Sequence, residues 1–142
     1  MIKKVFGRKL SRSRHAREAL FSTLVASLIS VGKIKTTKAK AKAVQGEAEK
    51  MITLAKKGTL SARRMALSRL DNSKEATHTL FHKVVGAFSN RNSGYTRITP
   101  APSRKGDNAQ MVTLSWTEKI DMTEKKVEKV KKPKVQKAKH KK

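Results

Sequence analysis

A chain of 142 residues has room for one domain and a tail, but not for two full cores. Its 35 Lys and Arg against 10 Asp and Glu give a formal charge of +25, and self-repulsion at that level disfavours compaction unless a polyanion supplies countercharge, which makes nucleic acid the leading partner. An aromatic content of 4% argues against base stacking as the main recognition mode, and the absence of Cys removes disulfides, zinc–cysteine sites and thiol catalysis together.

Lys3, Lys4, Arg8, Lys9, Arg12, Arg14 and Arg17 all precede the first acid, Glu18. Such a run is a solvated arm that a polyanion orders, and its acid-free, Ser-containing composition is also that of an organelle transit peptide. Ser11 or Ser13 caps a helix beginning near Arg14, in which Leu20, Leu24, Leu28 and Val31 form one stripe that Phe21 and Val25 widen, with Gly32 as its stop. The apolar stretch 19–31 is broken by Ser22, Thr23, Ser27 and Ser30 and is too short for a membrane span. The helix has no acid at its N-terminal end, where the helix dipole favours negative charge; an RNA phosphate would supply it.

The alternating, β-branched stretch 33–37 is a candidate third strand, and Thr37 a candidate cap for the helix after it. That helix runs over 38–57 with Val44, Ala48, Met51, Ile52 and Ala55 on one side, weakened at Gly46 and ended by Gly58; Lys35, Lys38, Lys40 and Lys42 cluster at its start. A short helix over 61–70 turns Ala62, Met65, Ala66 and Leu70 inward and Arg63, Arg64 and Arg69 outward. Asn72 and Glu75 resemble a capping box for a fourth helix, whose stripe of Ala76, Leu80, Phe81, Val84, Val85 and Phe88 makes it the expected most buried helix.

The stretch 91–117 reads as a hairpin: a turn at Asn92-Ser93-Gly94, a strand over 95–99, a polar loop over 101–108 and a second strand over 109–117. Period two gives Ile98, Val112, Leu114 and Trp116 one face and turns Met111, Thr113 and Ser115 away. A two-stranded ribbon is marginal alone, so helices must cover its apolar face. From residue 119 onward there are eleven Lys and three acids, a composition that predicts disorder in isolation, with a helix over 122–132 on binding and a stop at Pro133.

Signals for chemistry are sparse. His78 and His82 stand four apart on the fourth helix, a metal-ligand spacing, but Thr79 occupies the place of a general-base Glu and no further ligand completes the set. Asp107 fits an Asx-type turn; no carboxylate pair, nucleophile elbow or phosphate loop is present. The expectation is therefore no enzyme, no cofactor and no metal. Against an RNA-binding protein stand a DNA-binding architectural protein, for which zipper heptads and a helix-turn-helix are missing, and a membrane-surface protein using the first helix and the Lys tail.

Several stretches together resemble the bacterial large-subunit ribosomal protein L-seventeen family. They are Gly7-Arg8-Lys9-Leu10 with Arg12 and His15-Ala16-Arg17, Ile34-Lys35-Thr36-Thr37 with Ala39-Lys40, Ile52-Thr53-Leu54-Ala55-Lys56, Arg63-Arg64, Leu80-Phe81, Arg91 with Gly94-Tyr95-Thr96-Arg97-Ile98, and Arg104 with Gly106-Asp107-Asn108-Ala109. Each is weak alone, but their order along a small basic chain, over residues 2 to 118, is specific. The opening Met1-Ile2-Lys3-Lys4-Val5-Phe6 is less basic than the family's usual start, and the Lys-rich tail lies outside the family core.

The resemblance implies an α/β (α+β) two-layer domain of order helix, strand, three helices and two strands, with a small three-stranded sheet packed on the helices. The expected division is a basic arm at 1–13, a globular domain at 14–118 and a disordered tail at 119–142. It also implies a structural constituent of the large ribosomal subunit, bound to ribosomal RNA towards the peptide exit region and beside neighbouring ribosomal proteins; the expected location is the ribosome of the cytoplasm, with an organelle ribosome as the less favoured alternative. No membrane and no small-molecule substrate are implied. The expected phosphate contacts are Lys9, Arg12, Arg14, Arg17, Lys35, Lys38, Arg91, Arg97, Arg104 and Lys105, with His15, Arg63, Arg64 and Tyr95 completing the RNA-binding set.

Overall fold

The computed structural model describes residues 8–120, so the first seven residues of the arm and the tail from 121 onward, with its conditional helix, lie outside the described residues. Helix α1 spans Arg14–Val31; Ser13 is its N-cap and accepts a hydrogen bond from the Ala16 N–H. Gly32 closes it at φ 83°, a left-handed conformation that glycine adopts without a Cβ clash, and donates to the Leu28 carbonyl at 2.9 Å. Strand β1 (Lys33–Thr37) leads into α2 (Lys38–Lys56), followed by α3 (Leu60–Arg69) and a helical run made of α4 (Lys74–Thr79), a π-helical turn (Leu80–Val84) and α5 (Val85–Ala87). Strands β2 (Thr96–Ala101) and β3 (Met111–Trp116) complete an α+β domain.

The sheet order is β1-β3-β2, antiparallel throughout, so the expected hairpin forms and β1 pairs with its second strand. Register sets Ile34, Leu114 and Ile98 in one row and Thr36, Val112 and Pro100 in the next, all on the face turned to the helices. Helix α2 packs against all three strands and α1 against β1. The core joins Leu28, Ile52, Leu80, Phe88 and Leu114, each fully buried and each stabilising the fold by about 1.5–3 kcal/mol. Trp116 closes one end of it: its ring meets Phe88 edge-on at 6.0 Å, and its Nε1 donates to the Leu28 carbonyl at 3.1 Å.

Several local expectations are corrected. The fourth helix buries Ala76, Thr77, Leu80, Val84 and Phe88, while α2, with six buried residues from Ala41 to Ala55, is the helix that packs on all three strands. The buried side of α1 is Val25, Leu28 and Ile29, while Val31 is 61% exposed at the helix end. Helix α3 starts one residue early because Thr59 caps it, accepting from the Ala62 N–H at 3.1 Å, and Met65 faces solvent. The cap of α4 is Ser73, not Asn72: Asp71 and Asn72 both take left-handed backbone (φ 53° and 58°), which reverses the chain one residue before the helix begins. The π-helical turn within the fourth helix was not expected. Leu80, Val84 and Phe88 are nevertheless all fully buried, since four residues overshoot a turn of α-helix by about 40° and a wider turn takes back part of that drift.

Candidate nucleic-acid interface

The exposed cations fall into distinct groups whose local structure differs. On the sheet, period two turns Lys33 and Lys35 of β1, Thr113 and Ser115 of β3, and Arg97 and Thr99 of β2 away from the helices. None of these six is buried, and Lys33, Lys35 and Arg97 are exposed on the two edge strands. At one end of the sheet, where Thr37, Met111 and Ala101 align, α2 begins beside Arg8, Lys38, Lys42, Ala109 and Gln110, which line a depression of about 360 Å³. The first turn of α2 holds no acid and no side-chain cap, so its dipole adds to these cations; the Lys38 N–H is satisfied by the Gln110 carbonyl.

The loop between β2 and β3 leaves the sheet at this same end. Within it Arg104 is held by Asp107, with Nε on Oδ1 at 3.0 Å and Nη2 on Oδ2, and Asp107 also accepts from the Ala109 N–H at 3.2 Å. The Arg104 hydrogen bond, with the Ala109 N–H second, brings the Asp107 carboxyl down to about 2. Because the folded value is depressed, the stabilisation from this pair is present above the ordinary carboxylate range and is lost as pH falls through about 2. Arg104 is thus ion-paired within its own loop, and Lys105 is an exposed charge in the same loop.

Near the start of α1, Arg12 Nη1 donates to the Leu10 carbonyl at 2.8 Å, while Arg14 bonds Glu18 at 2.9 Å and thereby holds that carboxyl below its usual range. Lys9 and His15 are exposed, and Arg17 is half-buried at a cleft of about 650 Å³ that also meets Arg69, Glu47 and Asp71. On α3, Arg64 is exposed and the Arg63 guanidinium lies 5.1 Å from the Phe81 ring.

Two of the expected RNA-binding residues make contacts within the fold. Tyr95 is buried, its hydroxyl donating to the Asn92 carbonyl at 2.8 Å and its ring edge-on to Phe88 at 5.2 Å, so it offers no face to a base. A lone Tyr beside a basic strand has the same sequence pattern whether it points in or out. Arg91 bonds Glu118 at 2.9 Å and the Gly94 carbonyl at 3.3 Å, and its own carbonyl accepts from Lys56, so it ties the turn before β2 to the end of β3 and to α2. Conversely, Lys33, Lys42 and Arg8, which stand outside the expected RNA-binding set, join the exposed basic surface. Lys33 shares the parity of Lys35, which was the available signal.

Four acids are engaged in ion pairs among the described residues, with Arg14, Lys50, Arg91 and Arg104. His78 and His82 stack ring on ring at 4.2 Å, and no group of three or more His, Asp or Glu that could hold a metal ion occurs among the described residues. No described helix is long and apolar enough to cross a membrane.

The result is a small α+β domain with an apolar core under one sheet face and cations over the other and around its end. Compared with models of known families, residues 20–117 match the one described as ribosomal protein L17, and the chain belongs to that family. It is a structural protein of the large ribosomal subunit and a component of the translation apparatus.

Proposed function

We propose that this chain binds and stabilises folded large-subunit ribosomal RNA through Arg and Lys contacts to phosphates, near the peptide exit region and beside neighbouring ribosomal proteins. The observation that carries the reading is the distribution of charge: four acids are tied up in ion pairs while Lys33, Lys35, Lys38, Arg97 and Lys105 stand exposed around one sheet and its end. Phosphates brought together by RNA folding repel one another, and cations displayed on one folded surface neutralise them. The position near the exit region rests on family membership.

The chain has no Cys, so Ser103→Cys in the hairpin loop creates a single tethering point. An iron chelate attached there, in subunits reconstituted with the variant, generates hydroxyl radicals that cut nearby RNA. Cuts are expected in large-subunit RNA around the exit region. Cuts confined to another part of the subunit would remove the position, and failure to enter the subunit at all would remove the function.

A further inference from the structure

The outer face of the sheet sets its side chains in rows across the strands. The row Lys33–Ser115–Arg97 crosses all three strands, and the next row is Lys35–Thr113–Thr99. Cations therefore stand on the two edge strands, with short hydroxyl side chains between them and no acid in either row. Two strand spacings separate the edges by about 9.5 Å at the backbone, before the length of the Lys and Arg side chains is added. The described aromatics lie elsewhere, with Phe88, Tyr95 and Trp116 in the core and Phe21 and Phe81 packed against it, so this face has no platform for unstacked bases.

Resting on the proposed RNA-binding reading, we propose that this sheet face docks on the shallow minor groove of double-helical RNA, with the edge cations on phosphates of the two rims and the central hydroxyls towards the 2′-hydroxyls. A-form RNA offers a wide, shallow minor groove that displays 2′-hydroxyls and is read by shape and not by base order. A sheet face with charge at both margins complements it. A hydroxyl side chain both donates and accepts, as a 2′-hydroxyl requires, whereas a groove lacking that group gives Thr113 and Ser115 less to meet. The recognition is accordingly tolerant of sequence and selective for RNA over DNA.

The test uses the full chain, a short RNA duplex of mixed sequence, the same sequence as a DNA duplex, and its single RNA strand. The variant Lys33→Thr, Lys35→Thr, Arg97→Thr keeps β-forming residues in the strands; Lys50→Ala, Lys57→Ala, Lys74→Ala removes equal charge from exposed helix and turn positions. Wild type is expected to favour the RNA duplex over both other probes. The sheet variant should flatten the log–log salt slope on that duplex by about 2 to 3, since each phosphate no longer neutralised removes close to one from the slope, and the control variant by less than one.

Acetylation of the wild-type complex gives a second readout independent of any variant's folding: Lys33 and Lys35 should be protected by the RNA duplex and Lys57 should not. An unchanged slope in the sheet variant, unprotected Lys33 and Lys35, or tighter binding of single strand or DNA would overturn the inference. If ribosomal RNA is still bound with a steep salt dependence, only the assignment of the face fails; if no RNA is bound, the functional reading fails with it.

Discussion

Arg91 and Arg97 lie six residues apart in one basic stretch and have opposite surroundings. Arg91 is held by Glu118 and the Gly94 carbonyl, whereas Arg97 projects from the outer side of β2 opposite Ser115. Arg91→Ala is therefore expected to lower the melting temperature by a few degrees, as the half-exposed pair and the carbonyl hydrogen bond together contribute about 1 kcal/mol. Arg97→Ala should leave melting unchanged and weaken RNA binding. Thermal denaturation followed by circular dichroism, with RNA titration of both variants, separates them; equal melting losses would place Arg97 in the fold. A list of cations drawn from sequence cannot make this distinction, because the acid that claims Arg91 lies 27 residues away. Arg104 is different again: its partner Asp107 is three residues on and was visible as a turn residue, but the pairing itself depends on the loop's closure.

At the scale of the elements, the periodicities were legible. The alternation around Ile34 and from Val112 to Trp116 defines the buried sheet face, and the stripe from Val44 to Ala55 defines the buried side of α2. What sequence hid are choices settled by neighbours. Met65 has the spacing of an inward residue, but Ala62 and Ala66 already fill the contact of α3. The π-helical turn answers the packing of Leu80, Val84 and Phe88 and has no local signature.

Gly46 offers a direct check on α2. It is helical, and a Cβ built there meets no atom within 4 Å. Gly46→Ala is expected to stabilise the protein by about 1 kcal/mol through helix propensity, read as a higher denaturant midpoint at constant slope. An unchanged or lower midpoint would mean that the helix is not limited there by backbone entropy.

For the whole molecule, charge and fold divide the surface between two tasks. The helices and the inner sheet face supply the burial that lets a +25 chain fold, with no buried side-chain polar atom among the described residues left without a partner. The other sheet face and the end where α2 and the hairpin loop meet gather cations drawn from distant parts of the sequence, from Arg8 to Lys105. Composition made the polyanion partner legible; the convergence of those cations required the β1-β3-β2 order, which no local pattern encodes. The central claim is that phosphate neutralisation carries binding, and its most direct test is the affinity of the purified chain for large-subunit ribosomal RNA measured across a range of salt concentrations. A straight, steep fall on a log–log plot, by about 0.7 to 0.9 per phosphate contacted, is the predicted result. Affinity that stays flat from low to high salt would contradict it.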